Sequence, residues 1–178
     1  LGRTGLRVSL VGFGTGGPSG FGQAQNFTQI QQTALVNKAL DLGINLFDTS
    51  SMYGDSEEIL GRALVGIPRD SYFLSTKWGH ASSWSPQGMG GEDGPIEQDP
   101  HSLIVGVENS LKRLRTDTID IMQFHGLRVS QYHEVVDRFG PVMKQMQEDG
   151  KIRFIGMTVR FIADPKFEAA SLALKSHP

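Results

Sequence analysis

Three observations predict a parallel α/β fold for this 178-residue chain. Short apolar runs alternate with amphipathic segments along its length, the rhythm of strand–helix units. The amphipathic segments repeat their apolar residues at helical spacing, as in Leu103, Val107, Leu111 and Leu114, which lie four, four and three residues apart. Chemically capable side chains stand where the apolar runs stop: Asp48, Lys77 and His125, with Tyr53 in the loop after Asp48. In barrels of alternating strands and helices, catalytic groups come from the C-terminal ends of several different strands.

Taken in order, Val8 to Gly14 reads as a first strand and Thr28 to Leu42 as a helix with Thr28 as its N-cap. Ile44 to Phe47 forms a second strand closed by Asp48, followed by a helix near Ser56–Val65. Ser56 opens that helix, with Glu57 and Glu58 in the first turn, where carboxylates favour the helix dipole. Tyr72 to Thr76 is a third strand with Lys77 at its end. A long loop follows from Gly79 to Pro100, rich in Gly, Ser and Pro, of a length typical of lids and disordered connectors. The Leu103–Leu114 helix comes next, then a strand from Ile119 to Phe124 that ends at His125. Val135, Val136, Phe139, Val142, Met143 and Met146 give another apolar stripe, with Pro141 expected to kink or restart its helix. Arg153 to Val159 is a fifth strand and Phe167 to Leu174 a fifth helix. No internal repeat beyond this rhythm is evident.

Composition fits a soluble enzyme domain. The net charge is −2, and no block of like charges points to nucleic acid or a membrane surface. No apolar stretch approaches the roughly 20 residues that span a bilayer. The absence of cysteine excludes disulfides and thiolate metal sites and suits a cytoplasmic location. His80, His101, His133 and His177 have no helical partner at metal-ligand spacing, so no metal site is expected. The chain starts at Leu1 without a methionine, so residues are expected to precede it, and no signal peptide is visible.

The four polar residues suit one kind of chemistry. A free phenol is too weak an acid to give up its proton easily near neutrality, and a neighbouring ammonium favours the phenolate. Lys77 could serve Tyr53 in this way, with Asp48 holding the ammonium. Tyr53 then acts as general acid towards a developing alkoxide, while a ring nitrogen of His125 orients the same oxygen. That suits carbonyl reduction. The protein carries no hydride of its own, so a nicotinamide cofactor is implied.

The run Gly43-Ile-Asn-Leu-Phe-Asp48-Thr-Ser-Ser-Met-Tyr53-Gly54-Asp-Ser-Glu57 closely resembles the signature of the aldo-keto reductases. The resemblance also takes in Leu1-Gly-Arg-Thr-Gly-Leu-Arg-Val-Ser9, similar to the family's N-terminal hairpin, together with Ser75-Thr-Lys77, the His125 strand and Gly150-Lys-Ile-Arg-Phe-Ile-Gly156. It implies a TIM (β/α)8-type barrel with an N-terminal hairpin, of which this chain holds about five strand–helix units in one domain, incomplete at the C-terminus. A complete barrel has eight units, typically over about 250 residues. The expectation is therefore a piece of a longer reductase, or a half-barrel that pairs with itself. The implied catalytic residues are Asp48, Tyr53, Lys77 and His125. The implied cofactor is NADPH, with NADH as the alternative, contacted by Asp48, Thr158, Gly14 and Thr15. Trp78, Tyr53 and His125 are expected at a small carbonyl substrate.

Other readings compete. Gly12-Phe-Gly14-Thr-Gly-Gly17 has the G-x-G-x-x-G spacing of a dinucleotide-binding turn. It is followed by loop-like Pro18-Ser-Gly20-Phe-Gly22, and no Asp or Glu occurs between Gly17 and Asp41 to hold a ribose. The glycines better suit a flexible first loop beside the active-site mouth, or simple turn formation. Trp78, Trp84, Phe21 and Phe27 either line a substrate pocket or pack the loops down. Where the resembled family usually presents Gly-Val-Ser-Asn to the nicotinamide, this chain has Gly156-Met157-Thr158-Val159. Thr158 keeps a hydroxyl, whereas Val159 lacks any polar side-chain atom, a loss that costs on the order of 1–3 kcal/mol per buried contact. Arg160 is the nearest residue that could compensate. A non-catalytic regulatory or scaffolding relative is the rival to the enzyme.

Overall fold

The computed structural model describes residues 1–79, 98–159 and 164–176. Trp84, Arg160 and most of the expected long loop lie outside the described residues. Five parallel strands follow one another in chain order: β1 (Phe13–Gly14), β2 (Leu46–Asp48), β3 (Phe73–Trp78), β4 (Ile119–Leu127) and β5 (Ile152–Val159). A doubly wound sheet reverses its strand order at a switch point. Here there is no reversal, and the helices between strands lie side by side on one another: α1 (Gln29–Asp41) on α2 (Ser56–Ala63), α2 on α3 (Pro100–Leu114), and α3 on α4 (Tyr132–Glu148). This is the wall of a barrel. A last helix, α5 (Glu168–Ser176), follows β5.

Local chemistry explains where the helices start. Thr28 Oγ1 accepts from the Gln31 N–H at 3.4 Å while Gln31 Oε1 accepts from the Thr28 N–H at 2.9 Å, a capping box that opens α1. Asp99 caps α3 by accepting from the Ser102 N–H at 3.0 Å, and Pro100 occupies the first turn, where its missing donor costs nothing. Helix α2 opens at Ser56 as expected, with Glu57 and Glu58 in its first turn, and no side chain caps it. The Ser56 hydroxyl is drawn away to the loop after β1, donating to the Thr15 carbonyl at 3.1 Å. Helix α4 runs unbroken through Pro141, correcting the expected restart. The residue before a helical proline is normally crowded through its Cβ, and here it is Gly140, which has none.

The N-terminal hairpin expected over Leu1–Ser9 does not form. Gly2–Thr4 is a 3-10 turn, closed where Thr4 donates to the Leu1 carbonyl, and Gly5 follows in the left-handed region at φ 70°. Local bonds satisfy this segment, and an isolated two-stranded hairpin is marginal in water. Strand β1 shrinks to two residues, because Ser9 spends its N–H on the Asn45 side chain at 2.7 Å rather than on a ladder. At the other extreme, β4 continues past His125 to Leu127.

Side chains alternate across the sheet, and this decides what each strand offers. Phe47, Leu74 and Met122 are fully buried in the core with Leu103, Val107, Phe139 and Met143 of the helices. The opposite face carries Asp48, Ser75, Lys77, Gln123 and His125. In the helix layer, buried Glu57 accepts from Thr76 at 2.6 Å and from Arg113 at 2.7 Å, tying α2 to β3 and α3. At the other end of the strands Asp120 is fully buried, where it accepts from Arg69 and Arg153, each at 2.6 Å.

Helices α2 and α3 meet at Gly61, where an added Cβ would stand 2.2 Å from the Arg113 carbonyl oxygen and 2.8 Å from the Leu114 backbone. Gly61→Ala is expected to lower the unfolding free energy by about 1–3 kcal/mol through overpacking, despite alanine's better helix propensity. Urea denaturation checks this, and an unchanged midpoint would mean the two helices part without cost.

Candidate active site

Strand β2 delivers Asp48 at its last residue, paired in register with Ser75 of β3 and Gly14 of β1. Two residues beyond Ser75 on the same face is Lys77, whose register partner on β4 is Gln123. This spacing brings the charges together. Lys77 Nζ donates to Asp48 Oδ1 at 2.5 Å and to the Thr49 carbonyl at 2.8 Å, using two of its three N–H groups. Asp48 Oδ2 accepts from Ser75 Oγ at 3.0 Å, and Ser75 Oγ accepts from Gln123 Nε2 at 2.8 Å. Lys77 is buried while the Asp48 side chain is 37% exposed, so the ammonium is enclosed and the carboxylate faces the site.

Tyr53 arrives from the β2–α2 loop. Its ring has Lys77 Nζ 5.0 Å from the centroid and lies edge-to-face with the His125 imidazole at 5.6 Å. The structure thus brings all four expected catalytic residues into one cluster. The loop is held by Gln23 of a 3-10 turn (Gln23–Gln25), whose side-chain amide donates to the Tyr53 carbonyl at 3.1 Å and accepts from the Asp55 N–H at 2.9 Å. His125 Nδ1 lies 3.1 Å from Ser50 Oγ.

The expected cofactor and substrate residues fare unevenly. Gly14 is exposed beside Asp48, with nothing within 4 Å of where a Cβ would stand. Thr15 is fully buried and its Oγ1 has no hydrogen-bond partner, while its backbone N–H donates to the Asp48 carbonyl at 2.9 Å. Its backbone anchors the loop to β2. Thr158 Oγ1 accepts from the Gly126 N–H at 2.7 Å, leaving its own hydrogen to donate. Trp78 does not line the substrate side. One residue beyond Lys77, it points to the helices, where its ring packs 5.0 Å from Phe139 and closes over Gly106. Phe21 is buried 5.5 Å from Phe13 and packs its loop down, and Phe27 lies over Gly22 in the same loop.

Sequence reading missed Ser75, Gln123, Ser50 and Gln23. Two of these were signalled: Ser75 and Gln123 each precede a chosen residue by two positions on its own strand, and polar residues at such spacing in an apolar run share one face. Ser50 and Gln23 act through loop geometry and left no such sign. Among the described residues no cluster of three or more His, Asp or Glu side chains is placed to hold a metal ion, and no helix is long and apolar enough to cross a membrane.

A five-stranded parallel arc with this cluster at its strand ends defines a barrel of the aldo-keto reductase type. The aldo/keto reductase family model matches residues 10–165, and the chain belongs to that family. It is 37% identical over 164 residues to the L-galactose dehydrogenase of Arabidopsis thaliana, covering 89% of this chain and 47% of that protein. An aldo-keto reductase of Bacillus halodurans in its holo form superposes with a TM-score of 0.74 at 27% identity, over 98% of this chain and 52% of that one. One of Klebsiella pneumoniae in complex with NADPH matches with a TM-score of 0.63 at 28% identity, over 84% of this chain and 45% of that one. The chain spans about half the length of the curated relatives it matches.

Tyr53 rests on Gly16, where an added Cβ would come within 2.7 Å of the ring's Cε2 and 2.9 Å of its Cζ. Gly16→Ala is expected to displace the Tyr53 ring. The Tyr53 ring resonances and their cross-peaks to His125 check this by NMR, and an unchanged spectrum would show that the backbone at position 16 yields instead of the ring.

Proposed function

We propose that this chain supplies the catalytic face of an oxidoreductase that interconverts an aldehyde or ketone and its alcohol. The observation that carries the reading is the Lys77 ammonium, enclosed between the Asp48 carboxylate and the Tyr53 ring, with His125 at that ring's edge. In this reading His125 donates a hydrogen bond to the substrate's carbonyl oxygen and sets its direction. Tyr53 passes its phenolic proton to that oxygen as negative charge builds there, and Lys77 stabilises the phenolate left behind. Asp48 and the Thr49 carbonyl keep the ammonium in place, with Ser75 and Gln123 fixing the carboxylate in turn.

Hydride delivery is the chemistry that a bound nicotinamide cofactor supplies. The residues present fit such a group: Gly14 leaves open space beside Asp48, and Thr158 retains a hydroxyl hydrogen for an acceptor. We assign Asp48, Gly14 and Thr158 to it, and NADPH as the form used, supported by the NADPH complex of the Klebsiella pneumoniae relative. A small carbonyl compound is the proposed substrate. The L-galactose dehydrogenase relative makes sugars part of the class to be tried.

Val159 favours a second reading, in which a barrel without useful turnover serves a regulatory or scaffolding role. That reading predicts no hydride transfer.

The deciding experiment follows NADPH consumption by the full-length protein with a panel of aldehydes and ketones, and NADP+ reduction with L-galactose. Wild-type turnover is expected to fall at least about 100-fold in Tyr53→Phe, the scale of losing a general acid. Equal rates in both proteins would remove Tyr53 from the chemistry, and no rate in either would favour the second reading.

A further inference from the structure

Ser50 is fully buried, and its hydroxyl makes two contacts: the Met52 N–H donates to Ser50 Oγ at 3.1 Å, and His125 Nδ1 lies 3.1 Å from the same oxygen. A hydroxyl has one hydrogen to give and two lone pairs to receive with. The Met52 amide occupies one lone pair. Ser50's own hydrogen then needs an acceptor, because an unpaired polar hydrogen away from water is costly. His125 Nδ1 is the acceptor within reach.

We propose that Ser50 is a positioning residue that donates to His125 Nδ1 and so fixes the imidazole as the Nε2–H tautomer. In a neutral imidazole one nitrogen accepts and the other carries the hydrogen. Ser50 claims the lone pair on Nδ1, so the hydrogen resides on Nε2, the nitrogen remote from Ser50. The reverse arrangement, with Nδ1–H donating to Ser50 Oγ, fills both lone pairs of the hydroxyl and strands its hydrogen in a buried site. Met52 has a part in this, since its amide orients the hydroxyl towards the ring. Ser50 also lies two residues after Asp48 and three before Tyr53, so the loop that carries the proposed acid also sets the proton on the proposed carbonyl-orienting group.

This inference rests on the reading of His125 as the group that orients the carbonyl, and its test separates the two. The tautomer is read directly from long-range nitrogen–proton correlations of His125 in histidine-labelled full-length protein, above the pH at which the imidazole is charged. Wild type is expected to show a protonated Nε2 and a bare Nδ1. In Ser50→Ala the two nitrogen shifts should converge as the tautomers mix, and Ser50→Thr, which keeps the hydroxyl, should restore the wild-type pattern. A protonated Nδ1 in wild type overturns the proposal, even if Ser50→Ala fails to fold. An unchanged His125 spectrum in folded Ser50→Ala overturns it as well. In carbonyl reduction Ser50→Ala should lower kcat about 3- to 10-fold, the effect of one hydrogen bond, with little change in KM. If the tautomer shifts as expected while Tyr53→Phe keeps full activity, the catalytic reading fails and the role of Ser50 stands.

Discussion

A parallel strand presents every second residue to the same face, and the arrangement of this molecule follows from that constraint. On β3 it sends Leu74, Thr76 and Trp78 to the helices and Ser75 and Lys77 to the site. On β4 it sends Met122 and Phe124 to the core and Gln123 and His125 to the site. Lys77 could not reach Asp48 if either strand slipped by one residue, because every side chain would change face. The core therefore protects the chemistry. Phe47, Leu74 and Met122 fix the register by burial, and the register aligns Asp48 with Ser75 and Lys77 with Gln123. Removing large buried side chains like these typically costs about 2–5 kcal/mol.

The same constraint explains how much was legible in the sequence. The α3 stripe of Leu103, Val107, Leu111 and Leu114 is wholly buried as read, since a four-four-three spacing has one helical solution. The positions of Asp48, Lys77 and His125 near the C-terminal ends of their strands were legible because charged and imidazole groups interrupt apolar runs there. Trp78 was misplaced for want of applying the alternation one residue further. The aromatic residue next to a site lysine on a strand belongs to the opposite layer, and the void at Gly106 receives it. The N-terminal segment and β1 were less legible, because their fate depends on single long-range bonds, such as Ser9 to Asn45, that leave no periodic trace.

The loop between β2 and α2 shows how a site on a flexible connector is made rigid. Tyr53 lies on no strand, and its position is set from outside its own segment. The Gln23 amide is bonded on both sides, to the Tyr53 carbonyl and the Asp55 amide, and its donor group also reaches Ser56 Oγ at 3.0 Å. Gly54 follows Tyr53 at φ 59°, and a Cβ there would strike Gln23 Oε1 at 2.7 Å. Glycine at this place thus has two causes: the left-handed backbone, and the close approach of the side chain that holds the turn. Gly16 on the other side admits the Tyr53 ring. These contacts from the loop after β1 therefore substitute for the ladder that positions Asp48, Lys77 and His125.

At the far side of the site β4 and β5 depart from regular pairing, and the departure bears on Thr158. The ladder shifts register between Phe124 and Leu127, and Gly126 turns into the left-handed region at φ 66°. Its N–H, lost to the ladder, goes to Thr158 Oγ1. Irregularities of this kind re-aim a side chain next to a site, and the side chain here is that of His125, one residue before the glycine. The hydroxyl at position 158 therefore satisfies a backbone donor of β4 as well as facing any ligand. With one lone pair given to Gly126, its hydrogen is the part best placed for a ligand. Thr158 can serve a carbonyl oxygen well and an amide N–H less so. Val159 beside it adds no polar side-chain atom to receive one.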